Sequence, residues 1–157
     1  RNQKGGGGGG GGGGSGGEGL VRVYRVVHQE WTQIGQTLVG PMRGSQFGYS
    51  VDLNQDGTSL VVGAPGYSKT TLNNNNDSTT TMTSREGMVR VYALIEDTQM
   101  WIEEFERVGN MAGDEFGYSV DMDLTGRIII VSSPGDDTKW RDGGRLFWFQ
   151  RKPAQEE

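Results

Sequence analysis

There is no cysteine in the 157 residues. That removes disulfides and thiolate metal sites, and it leaves the compartment open. Histidine occurs once, as His28. A Ser-His-Asp triad would have to use it, and no Gly-x-Ser-x-Gly elbow accompanies it. His28 reads instead as a solvent-facing residue near a strand end. No apolar run approaches the roughly 20 residues that span a bilayer as a helix. No 3.6-residue apolar period persists beyond about two turns, so helix is expected to be minor. Basic charge is also short: 15 Lys and Arg stand against 20 Asp and Glu, a net charge of −5. A nucleic-acid or anionic-membrane partner would favour a basic face, so neither is expected.

Glycine is what the chain has in excess, 28 in all, and much of it lies at the start. Gly5 to Gly14 is unbroken, and Ser15-Gly16-Gly17-Glu18-Gly19 continues it. Glycine buries no side chain and loses the most backbone entropy on ordering. Residues 1–18 therefore read as a flexible linker or tail. A phosphate-binding loop would need Gly-Lys-Ser/Thr at the end of the run and a strand before it, and both are missing. The chain starts at Arg1 without a methionine or signal peptide, and is expected to be a piece of a longer or processed polypeptide.

The segment Phe47 to Gly66, FGYSVDLNQDGTSLVVGAPG, returns 69 positions later as Phe116 to Gly135, FGYSVDMDLTGRIIIVSSPG. Ten of the twenty positions are identical. Such self-similarity marks a modular array of supersecondary units. In each copy FGYSVD alternates apolar with small or polar residues, as a strand with one buried face does. Gly57 and Gly126 then permit tight turns, and a return strand follows. Pro65 ends pairing because it has no N–H to give. The run Ile128 to Val131 is expected to be covered on both faces.

Two shorter elements repeat as well. Gly19-Leu20-Val21-Arg22-Val23-Tyr24 returns as Gly87-Met88-Val89-Arg90-Val91-Tyr92, and more weakly as Gly144 to Phe149. Trp31-Thr32-Gln33-Ile34 is matched by Trp101-Ile102-Glu103-Glu104. All read as strands. The unit is thus FG strand, return strand, VRVY strand and Trp strand, a four-stranded antiparallel sheet. Between the second and third strands of the first unit lies an Asn/Thr-rich tract. Residues 68–85 are expected to form a disordered surface loop. Asn76-Asp77-Ser78 within it is a glycosylation sequon.

The unit resembles the FG-GAP repeat, the blade of integrin-α-like β-propellers. Phe47-Gly48 followed by Gly63-Ala64-Pro65 carries the likeness; the second copy keeps Phe116-Gly117 but has Ser132-Ser133-Pro134. The resemblance implies an all-β fold of propeller blades over residues 19–150: a partial blade at 19–40, a full blade at 47–105 and a partial blade at 116–149, with 151–157 as a tail. Propellers close with about 4–8 blades. The propeller is therefore incomplete, to be finished by further blades in cis or by a partner chain. The family also implies Ca²⁺ at the turn between FG and GAP, held by Asp52, Asn54 and Asp56, and at the second turn by Asp121 and Asp123. Alternate oxygens of a D-x-N-x-D-G turn can wrap a hard cation, which wants about 6–8 oxygens. A further carboxylate is missing, since Leu60 and Ile129 stand where it would be needed. The simpler reading is a hairpin whose Asp and Asn make turn hydrogen bonds, with no cofactor required.

Asp136, Asp137 and Asp142 read as a solvated charge cluster. Glu103 and Glu104 are strand neighbours, so they point to opposite faces and cannot act as one acid/base pair. Phe47 and Phe116, Tyr49 and Tyr118, and Trp31 and Trp101 recur at equivalent positions, as packing between neighbouring units demands. They are expected in the core. The function implied by the family is non-enzymatic: protein or glycan contact, adhesion-like, at a cell surface or outside the cell. Two alternatives are a structural subunit docking onto a larger complex and an accessory propeller domain of a larger enzyme.

Overall fold

A computed structural model of the chain describes residues 17–72, 78–80, 84–141 and 143–151, with side chains left undescribed over 70–72 and 78–80. Among the described residues there is no helix; every regular element is a strand. Strands β1 (Leu20–Val27) and β2 (Glu30–Val39) form an antiparallel pair. Next come β3 (Ser50–Leu53) and β4 (Ser59–Ala64), then the short pair β5 (Thr70–Leu72) and β6 (Ser78–Thr80). The chain continues through β7 (Met88–Ile95), β8 (Met100–Val108), β9 (Val120–Met122), β10 (Ile128–Ser133) and β11 (Arg145–Gln150).

Three main sheets result. The middle one has four antiparallel strands in the order β3-β4-β7-β8. The first sheet is β1-β2 and the third is β9-β10-β11. Sequence equivalence makes β1 and β2 the third and fourth strands of a unit, and β9 to β11 the first three. The reason for the meander is local. The turns β1–β2, β3–β4, β7–β8 and β9–β10 close over two to five residues, and antiparallel neighbours need no long crossover.

The inner strands of the middle sheet, β4 and β7, are buried on both faces. Leu60, Val62, Ala64, Met88, Tyr92, Leu94 and Trp101 meet Val21 and Leu38 of the first sheet. Val61, Val89 and Val91 point the other way and meet Phe116, Val120, Met122, Ile129 and Val131 of the third. The run SLVVGA of β4 is accordingly buried throughout, whereas β10 is not. Ile129 and Val131 are buried, but Ile128 and Ile130 are exposed. The expectation that β10 is covered on both faces is thus corrected: no sheet lies on its outer side among the described residues.

The FG motif also differs from expectation. Phe47-Gly48-Tyr49 is a turn rather than the start of β3, with Gly48 at φ 86° and Gly117 at φ 87°. A Cβ on Gly48 would stand 2.8 Å from Val21 Cγ2, and one on Gly117 2.5 Å from the Met88 carbonyl. The motif is therefore a joint that seats each unit on the VRVY strand of the unit before it. The hydrogen bonds repeat too. Gly48 N–H donates to the Gly63 carbonyl at 3.1 Å, and Gly117 N–H to that of Ser132 at 3.0 Å. Gly40 N–H donates to Gly19 at 3.0 Å, and Gly109 N–H to Gly87 at 2.9 Å.

Arg151 ties the third sheet to the second. Its guanidinium donates to Ser59 Oγ at 2.9 Å and to the Gly126 carbonyl at 2.9 Å, and it pairs with Glu104. The Asn/Thr tract over 68–85 lies partly outside the described residues, as does the Asn76 sequon. Its described ends are held: Ser68 is buried and accepts the Arg85 N–H at 3.0 Å, and Lys69 Nζ donates to the Gly109 carbonyl at 2.8 Å.

Candidate interaction surface

The two acidic turns sit at the same end of β3 and β9. Asn54 Oδ1 accepts the N–H groups of Thr58 and Ser59, both at 2.9 Å. Asp56 Oδ1 accepts the Thr58 N–H at 3.1 Å and its hydroxyl at 2.6 Å. These bonds hold the Asp56 carboxyl below the usual range, the Thr58 hydroxyl contributing most. Asp123 does the same in the second copy, with Thr125 and the N–H groups of Arg127 and Ile128. Its carboxyl is likewise lowered, chiefly by Thr125. Asp52 takes a different role. Its Oδ2 accepts the Met122 N–H at 2.8 Å, which bridges the middle and third sheets.

The structure therefore brings Asn54 and Asp56 together around Thr58 and aims Asp52 at the neighbouring sheet. Asp121 lies exposed on β9. Among the described residues, no group of three or more His, Cys, Asp or Glu side chains converges so as to hold a metal. Oxygens of Asp52, Asn54, Asp56 and Asp123 face amide protons, whose positive ends a cation would have to displace. As built, the donor set fits a hairpin better than a cation cage. Millimolar Ca²⁺ is expected to give neither binding heat in calorimetry nor a rise in melting temperature. A clear rise would overturn this.

His28 lies in the tight turn between β1 and β2, exposed, with φ 50°. Asp136 is more unusual, being buried. Burial pushes its carboxyl up, but hydrogen bonds from the Thr138 hydroxyl and N–H and the Arg145 charge outweigh this and hold it below the usual range. Arg145 Nη1 stands 3.6 Å from Asp136 Oδ2. Asp142 lies outside the described residues.

What the sequence does not reveal is how differently equivalent residues are treated. Val120 and Met122 are 9% and 8% exposed, while Val51 and Leu53, their counterparts, are 50% and 39% exposed. Trp101 is 3% exposed and Trp31 is 75% exposed. Trp101 is held by the first sheet. Its indole N–H donates to the Ile34 carbonyl at 3.0 Å, and its backbone N–H and C=O bond the Gln36 amide at 2.9 and 2.6 Å. Gly35 makes room, since a Cβ there would lie 2.5 Å from Trp101 Cδ1. Trp31 has no preceding sheet to take it among the described residues. Its expected place in the core is corrected for that reason. Tyr49 and Tyr118 are also exposed, and pack on each other across sheets at 5.1 Å.

Both end sheets thus present apolar faces. The first shows Leu20, Tyr24 and Trp31; the third shows Ile130, Leu146 and Trp148. Contiguous apolar patches of this kind occur at association surfaces, at ligand grooves and on aggregation-prone faces. The two ends are not alike. A Cβ on Gly63 would stand 2.1 Å from the Gly117 carbonyl, so glycine there lets the next FG turn approach. In the third sheet the same position is Ser132, whose hydroxyl accepts the Ser119 N–H at 2.8 Å. Ser132 thus carries the side chain that Gly63 lacks. Gly63→Ser is accordingly expected to loosen the third sheet by at least about 2 kcal/mol in chemical denaturation, whereas Ser132→Gly changes stability by about 1 kcal/mol or less. Equal effects would refute the asymmetry.

A groove of about 310 Å³ runs between the free edge of β1 and β3, lined by Val21, Val23, Tyr24, Val51, Leu53 and Leu60 among others. No family model matches the chain, and no curated protein matches it.

Proposed function

We propose that the chain is a non-enzymatic interaction module made of FG-GAP-type β-propeller blades, serving protein or glycan contact in a cell-surface or extracellular protein. The propeller is completed by further blades or by a partner chain. One observation supports this above the rest: residues buried between the middle and third sheets are exposed at the equivalent positions facing the incomplete first sheet. A unit that buries its apolar face only when a neighbour is present belongs to an array. Loops on one rim of such an array are the usual binding surface.

The exposed end faces equally favour the second reading, a structural subunit that docks onto a larger assembly. Both readings require sticky ends. Light scattering over a concentration series is expected to show mass rising above that of one chain, with binding of an apolar dye at the lowest concentration. A strict monomer that ignores the dye would count against both.

A further inference from the structure

We infer that the groove between β1 and β3 is an acceptor for one extended polypeptide strand, added antiparallel to β1 and supplied by a partner with alternating small apolar residues. This rests on the blade reading above. The molecule itself contains the template. On β7, the counterpart of β1, the strand β4 pairs antiparallel from Ser59↔Ala93 to Ala64↔Met88. Among the described residues strand β1 has β2 on one side only. No described strand pairs with its other edge, and such an edge is a ready site for strand addition.

The walls fit the same occupant. In the complete contact, Val120 and Met122 are buried against Val61, Val89 and Val91. Their counterparts Val51 and Leu53 line the groove beside Val21 and Val23. Val21 and Val23 stand where Val89 and Val91 do. What is missing is the counterpart of β4, whose Val61 completes the pocket. The hydrogen bonding marks the same absent unit, through its first strand rather than its second. Met122 N–H is taken by Asp52 of the neighbouring sheet at 2.8 Å, whereas Leu53 N–H falls back on its own Asp52 Oδ1 at 2.9 Å. The groove is also continuous with an established interface, since Val21 and Leu60 belong to the core between the first and middle sheets. The occupant must be narrow and small-sided, because the space is about 310 Å³. A β4-like segment meets that requirement and a helix, about 10 Å wide, does not.

The test uses the full chain and a synthetic peptide of the sequence Gly57 to Gly66. Calorimetry is expected to give one peptide per chain. Amide exchange followed by NMR should slow at alternate residues along Val21–Arg25 and at the β3 amides facing the groove, with β4, β7 and β8 unchanged. A peptide carrying Val61→Pro, which breaks the ladder, should bind at least about tenfold more weakly, and so should the original peptide to a Val51→Asp chain. Val51 is half exposed, so that variant should still fold. Saturation without slowing at β1, or equal binding of the proline peptide, would overturn the proposal. So would concentration-dependent slowing of the same amides without peptide, which would make a second copy the occupant. If the β4, β7 and β8 amides are protected and β1 is indifferent, the strand acceptor falls and the blade reading stands. If those three strands are themselves unprotected, both fall.

Discussion

Phe47→Ala lowers the stability of the chain by about 3–5 kcal/mol in urea or thermal unfolding. Phe47 is buried at the joint between the first and middle sheets, within the core that contains Val21, Leu60, Met88 and Tyr92. Its ring meets that of Tyr92 edge-on at 6.5 Å. The backbone around it cannot close over the hole. Gly19 and Gly40 already approach so nearly that a Cβ on Gly19 would lie 2.2 Å from the Phe47 carbonyl oxygen, and one on Gly40 2.6 Å from Phe47 Cβ. A site that cannot collapse leaves the full cavity, which places the cost at the upper part of the range. A loss well below 1 kcal/mol would mean that the FG phenylalanine is not the joint.

Gly87→Ala is the second large effect, and its control sharpens it. Gly87 has φ 77°, and an added Cβ would stand 2.2 Å from Phe116 N and 2.3 Å from Phe116 O. Both neighbours are backbone, so no side chain can swing aside. The left-handed conformation alone costs about 1–2 kcal/mol for an L residue. Separating the middle and third sheets costs more, because the core of Val61, Val89, Val91 and Phe116 opens. The total is expected to reach about 4 kcal/mol or more, a size reserved for overpacked or broken cores. Gly57→Ala shares the backbone strain, at φ 72°, but its Cβ would meet nothing within 4 Å. It should cost only about 1–2 kcal/mol. Equal losses in the two variants would remove the close inter-sheet contact from the account.

Much of the architecture is legible in the residues. The strand units, their order and their turns follow from a repeat whose glycines and alternating apolar positions can be aligned by eye. The split into two, four and three strands follows from counting the same elements. The exposed rim of each unit is not legible, for a physical reason. Val51-Asp52-Leu53 and Val120-Asp121-Met122 are nearly the same peptide, yet one is open and the other closed. Local sequence sets strand and turn, but burial is set by the neighbouring unit. Trp31 and Trp101 differ for that reason alone. The tyrosines of FGYS mislead for another. Their alternation suggests an inward face, but Gly48 and Gly117 turn the chain with positive φ, and the register changes before the strand begins.

The acidic turn is an intermediate case. D-x-N-x-D-G is compatible with a cation and with a hydrogen-bonded hairpin, and residue types alone do not choose. The geometry favours the hairpin, because Asn54 and Asp123 each cap two backbone N–H groups of the following strand. The Asp52 contact to Met122 has no signal in either copy taken singly. It could be found only by asking what the first strand of one unit offers to the first strand of the next.

The central claim is that one sheet unit is repeated and that stability comes from stacking it against a neighbour. Residue-resolved hydrogen exchange tests it most directly. Strand β4 is paired on both edges and buried on both faces, so its amides should open only with global unfolding. The β3 amides facing the open groove and the free edge of β1 should exchange through low-energy local openings, well ahead of their counterparts in β9 and β7. If β3 and β9 are protected alike, and β1 as strongly as β7, neighbour-dependent stability is contradicted.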